Sequence, residues 1–131
     1  MRLLLDTHIW LWSLIEPSRL TPRAARALEA GDAELWLSPI SLWELGILVG
    51  RRRIQLSTDV DAWIDDALRR TPMREAPMTR AVVRALGSIV TPHRDPADRF
   101  LAATAAALDL QLVTADEQLL AGRGYRVLPN R

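Results

Sequence analysis

Asp95-Pro96-Ala97-Asp98-Arg99-Phe100-Leu101-Ala102-Ala103-Thr104-Ala105-Ala106-Ala107-Leu108-Asp109-Leu110-Gln111-Leu112-Val113-Thr114-Ala115-Asp116 reads as a helix that leads into a strand. The alanine-rich stretch 97–108 favours helix. Residues 110–114 form a short apolar run, which reads as a buried strand that stops before Asp116. The same alternation recurs along the chain. Strands are expected at 3–5, 34–38 and 125–128, with a short one at 73–78. Helices are expected over 9–15, from Thr21-Pro22 to Gly31, and over 39–50, 59–70, 79–86 and 117–120. Thr21 and Thr79 are N-cap residue types, and Pro22 and Pro39 suit the first helical turn. Strands alternating with helices point to an α/β fold: a mostly parallel sheet with helices on both faces.

The chain has 131 residues, enough for one domain with a proper core, expected to span 1–131. It contains no cysteine, which excludes disulfides, thiolate zinc sites and cysteine nucleophiles. All 17 Lys/Arg positions are arginine, so chemistry that needs a lysine amine is excluded too. The net charge of +1 means that a nucleic acid would be held by a local patch rather than by bulk charge. The N-terminal apolar run is too short for a signal peptide, and no stretch approaches the ~20 apolar residues of a membrane span. A soluble, cytoplasmic protein with no membrane contact is expected.

Four acids stand out by their placement: Asp6, Glu44, Asp98 and Asp116. Asp6 closes the run Leu3-Leu4-Leu5, and Asp116 follows the strand 110–114. Asp98 lies in the first turn of the alanine-rich helix. Glu44 sits in Ile40-Ser41-Leu42-Trp43-Glu44-Leu45-Gly46-Ile47-Leu48, a nearly apolar stretch that reads as a buried helix. Isolated buried acids are costly. Each has a plain local explanation: Asp6, Asp95 and Asp116 are well placed as helix caps, and Glu44 could face outward. Capping does not explain why two strands end in aspartate while an apolar helix carries glutamate. Oxygen ligands gathered for a hard divalent cation would explain all four. Thr7, Ser41 and Thr114 could orient carboxylates or metal-bound water, although strand ends alone account for the threonines. His93 is a candidate acid, base or phosphate contact, against the commoner role of a solvated loop residue. His8 and His93 lack zinc-ligand spacing. Arg51-Arg52-Arg53 suits a helix C-terminus, and the five tryptophans suit core or dimer packing.

Leu3-Leu4-Leu5-Asp6-Thr7-His8, Ser38-Pro39-Ile40-Ser41-Leu42-Trp43-Glu44-Leu45, His93-Arg94-Asp95-Pro96-Ala97-Asp98-Arg99 and Leu112-Val113-Thr114-Ala115-Asp116 occur in that order. Together they resemble PIN-domain ribonucleases, specifically the VapC-type toxins of prokaryotic toxin–antitoxin pairs, over essentially the whole chain. The resemblance implies a three-layer α/β/α PIN-like domain. It implies that Asp6, Glu44, Asp98 and Asp116 are the metal-binding and catalytic acids, with Asp95 accessory; Thr7, Thr114 and Arg99 are further accessory candidates from their position beside the acids. It also implies Mg²⁺, or alternatively Mn²⁺, together with cleavage of RNA, a homodimer and inhibition by a small cognate antitoxin protein. Leu48 departs from the pattern, since relatives often carry lysine there. The alternatives are a non-catalytic RNA-binding or scaffold PIN domain, and an aspartate-based phosphatase or receiver domain. The last two typically use a lysine near the phosphate, and the phosphatases begin with two aspartates one residue apart. This chain has no lysine, and Asp6 is followed by Thr7-His8 instead of a second aspartate.

Overall fold

The computed structural model describes residues 1–131. Five strands form one sheet: β1 (Arg2–Leu5), β2 (Glu34–Leu37), β3 (Arg74–Glu75), β4 (Gln111–Thr114) and β5 (Arg126–Pro129). Their order is β3-β2-β1-β4-β5, and every neighbouring pair is parallel. Seven α-helices connect or flank them: α1 (Thr7–Ile15), α2 (Pro22–Glu29), α3 (Pro39–Gly50), α4 (Val60–Arg70), α5 (Arg80–Ala85), α6 (Pro96–Leu108) and α7 (Glu117–Leu120). A 3-10 turn, Pro17–Arg19, follows α1. No helix is long and apolar enough to cross a membrane.

The two-residue period of a strand sorts the core into two layers. Leu3 and Leu5 face one side, packed with Ile9 and Trp10 of α1, Leu45 of α3 and Ala67 of α4. Leu4 and Leu112 face the other side, packed with Val82 of α5, Leu101 and Ala105 of α6 and Leu119 of α7. The result is a three-layer α/β/α fold. Leu3, Leu4 and Leu5 are all fully buried, which stabilises the fold by roughly 2 kcal/mol each. Side chains of Thr21, Ser38, Asp59, Thr79 and Asp95 accept backbone N–H groups at the starts of α2 to α6.

Some element ends differ from expectation. β3 spans only Arg74–Glu75, both exposed, instead of 73–78; Pro77 has no N–H with which to extend the ladder. β5 lies one residue later, ending at Pro129 on a sheet edge, where proline is tolerated. α2 stops at Glu29, before Gly31, because Ala30 has left helical geometry (φ −60°, ψ 136°).

The strand order places the site. The chain moves outward from β1 to β2 and β3, then returns to the other side of β1 for β4 and β5. Right-handed crossovers then put the early helices on one face and the late ones on the other. The crevice at the C-terminal ends of β1 and β4 is the point where the path reverses, the usual ligand position in such sheets.

Candidate active site

β1 delivers Asp6 to this crevice, 5% exposed and at the N-cap position of α1. It does not act as a cap, because its side chain makes no capping hydrogen bond. Instead its Oδ2 accepts from the Thr114 hydroxyl at the end of β4 (2.6 Å). Thr114 is fully buried, and its Oγ1 also accepts the Asp116 N–H (3.0 Å). Burial pushes the Asp6 carboxyl above its ordinary value, with the Thr114 hydrogen bond opposing.

Glu44 arrives from α3. Ser41, Glu44 and Leu45 are spaced three and four residues apart and share one helix face. Ser41 and Leu45 are buried and Glu44 is half-buried. The Thr7 hydroxyl donates to Glu44 Oε1 (2.6 Å) and lies 2.9 Å from the Ser41 hydroxyl. Burial raises the Glu44 carboxyl most, and the neighbouring Asp6 charge adds to this. The expectation of a buried helix needs correction: Trp43 is 60% exposed. It lines a groove of about 740 Å³ between α3 and α4 with Ile47, Val60, Asp61, Ile64 and Asp65, a groove to which none of the four acids contributes.

Asp98 and Asp116 meet at His93. Asp95 caps α6 through Ala97 N–H (3.0 Å), which places Asp98 in the first turn. Asp116 uses Oδ1 to accept Gln118 and Leu119 N–H at the start of α7 (2.8 and 3.1 Å). Its Oδ2 lies 3.0 Å from His93 Nε2, and Asp98 Oδ2 lies 3.0 Å from the same nitrogen. The Asp95 N–H donates to His93 Nδ1 (3.2 Å). The His93 side chain is only 13% exposed, so it is not the solvated loop residue that its flanking prolines suggest. Sequence spacing carried no signal for its contact with Asp116, 23 residues away.

The strongest electrostatic consequence falls on Asp98. Its carboxyl is pushed up to about 8, mostly by burial, and further by the charges of Asp6, Glu44, Asp95 and Asp116. All four neighbouring charges thus act on Asp98 in the same direction as burial. No arginine offsets them: Arg94 and Arg99 are exposed and form no ion pair, so Arg99 is not held against the acids. Asp95 contributes charge and a cap from an exposed position. One donor atom each from His93, Asp98 and Asp116 lies within 4.8 Å of the others. Clustered carboxylate oxygens with no arginine paired to them are the donor chemistry of a hard divalent ion.

A parallel α/β/α sandwich with acids gathered at its switch point defines the class. The chain belongs to the PIN domain family, whose profile matches residues 3–123. Within that family it is 36% identical to Ribonuclease VapC22 of Mycobacterium tuberculosis (strain ATCC 25618 / H37Rv) over 126 residues, 94% of this chain and 93% of that protein. The fold matches VapBC2 from Rickettsia felis, solved bound to a DNA fragment from their promoter, with a TM-score of 0.73 at 16% identity over 98% of both chains. It matches VapBC-1 from nontypeable Haemophilus influenzae with a TM-score of 0.67 at 17% identity, again over 98% of both chains.

Proposed function

We propose that this chain is a divalent-metal-dependent endoribonuclease that acts in the cytoplasm as the toxin of a toxin–antitoxin pair. The observation that carries the proposal is the placement of Asp6, Glu44, Asp98 and Asp116 at one sheet edge, where burial first and the other three charges next raise the Asp98 carboxyl to about 8. The relative at 36% identity is named a ribonuclease, which supports the same activity here. Asp6, Glu44 and Asp98 would be the principal ligands of Mg²⁺, or alternatively Mn²⁺. Asp116 would hold a second ion or its water shell. The bound ion supplies an acidified water and stabilises the leaving oxygen of a phosphodiester. Thr114 and Thr7 hold Asp6 and Glu44 in place by donating to one oxygen of each. The exposed guanidinium of Arg99 is free to meet RNA phosphate from one residue beyond Asp98.

The partner would be a small cognate antitoxin, since the matched folds are VapBC assemblies. The toxin itself would be a homodimer. The test is Mg²⁺-dependent cleavage of total RNA by wild type, Asp6→Asn and Glu44→Gln. Both variants should lose at least about 100-fold in rate, in line with the loss of a metal ligand. Undiminished cleavage by either variant would refute the assigned site.

A further inference from the structure

His93 places a hydrogen-bond donor between two of the acids. Its Nε2 is 3.0 Å from Asp98 Oδ2 and 3.0 Å from Asp116 Oδ2. Its Nδ1 accepts the backbone N–H of Asp95 at 3.2 Å. A nitrogen that accepts a hydrogen bond presents a lone pair, so a neutral ring carries its proton on Nε2. That proton is directed at Asp116 Oδ2, with Asp98 Oδ2 at the same 3.0 Å from the nitrogen. A histidine that ligates a metal has the reverse arrangement: the free nitrogen donates to an acceptor and leaves the other as a lone pair for the ion. Here the backbone of Asp95 holds the ring in the wrong tautomer for a ligand. The oxygens that Nε2–H engages are the ones that a cation between Asp98 and Asp116 would need.

We propose that His93 is a placeholder rather than a ligand: its Nε2–H competes with the divalent cation for Asp98 and Asp116 and swings out as the ion binds. The proposal rests on the metal-site assignment above and adds a competitor to it. His93 sits in the irregular segment between Val90 and Pro96, outside any helix or strand, and its ring would give up the Asp95 N–H bond on leaving. Its backbone is tethered separately, with the His93 N–H donating to Thr91 Oγ1 (3.2 Å). The ring would lower ion affinity by the cost of its hydrogen bond to the Asp116 carboxylate. It would also keep the two carboxylates bridged at low ion concentration.

The test is calorimetric titration of MnCl2 into wild type, His93→Ala and Asp98→Asn. His93→Ala should bind Mn²⁺ roughly tenfold more tightly than wild type, as expected from releasing one hydrogen bond to a charged group. Asp98→Asn should lose the binding. Weaker binding by His93→Ala would make the histidine a ligand and overturn the proposal, and unchanged affinity would overturn it too. Tight binding by wild type with either of those outcomes leaves the metal site standing. Absence of Mn²⁺ binding by wild type overturns both. A second readout avoids variants: ¹⁵N spectra of labelled histidine in wild type. His93 should show a protonated Nε2 that converts to a mixed tautomer signal on saturation with Mg²⁺. A Nε2–H signal that persists unchanged at saturation would refute the placeholder.

Discussion

Asp116 divides its two oxygens between two tasks, Oδ1 capping α7 and Oδ2 facing His93 and the crevice. The helix cap thereby fixes the carboxylate orientation that an ion would use. Asp6 and Glu44 get the same service from outside their own elements, through Thr114 and Thr7. Removing either hydroxyl without changing shape, as in Thr114→Val or Thr7→Val, should lower Mn²⁺ affinity by about 10- to 100-fold, as for other residues that orient metal ligands. Calorimetry reads this directly, and affinity within a factor of two of wild type would show that the hydroxyls serve only the fold. Asp98 makes a pH prediction. Folded, it holds its proton up to about 8; its ordinary value is 3.8. Across that window the native state binds the extra proton, so stability falls as pH rises. In EDTA the melting temperature of wild type should therefore drop between pH 5 and pH 8 by more than that of Asp98→Asn. Equal slopes in the two proteins would show that Asp98 does not carry the effect.

At the scale of elements, α3 is the least conventional. Its inward face carries Ser41, Glu44 and Leu45, while its outward face exposes Trp43 beside a groove rimmed by Asp61 and Asp65. An apolar floor with an acidic rim suits a partner segment that brings apolar side chains and basic ends, and the antitoxin is the occupant proposed here. Trp43→Ala should leave the melting temperature within a few degrees, because an exposed side chain contributes little to stability. It should weaken antitoxin binding at least tenfold, a loss typical of an interface tryptophan. Unchanged antitoxin affinity with a changed sedimentation coefficient would assign the groove to the homodimer instead. β1 behaves in the opposite way: both its faces are buried, so truncation is felt by both layers. Leu4→Ala should cost about 2–5 kcal/mol in urea unfolding, and a cost below 1 kcal/mol would contradict the described core.

For the whole molecule, the sheet's reversal at β1 and β4 turns distant residues into neighbours. Asp6 and Thr114 are 108 positions apart yet share a hydrogen bond. Expression of the wild-type chain should arrest growth, co-expression of the small antitoxin proposed above should relieve the arrest, and Asp6→Asn should be harmless without it. Growth of cells that accumulate folded wild type would count against the toxin role. Much of this architecture was legible in the chain. Leu3-Leu4-Leu5 and residues 110–114 announce buried strands, Thr21-Pro22 and Ser38-Pro39 announce helix starts, and the four acids announce themselves by interrupting apolar runs. Periodicity, caps and prolines act over a few residues, so they survive in a linear reading. Three features needed the folded chain: which oxygen of each acid is engaged, that Trp43 faces out while Glu44 faces in, and that His93 bridges Asp98 and Asp116. These depend on strand register and on how α3, α6 and the 90–96 segment pack around one sheet edge, contacts between residues whose separation along the chain carries no information about their distance in space.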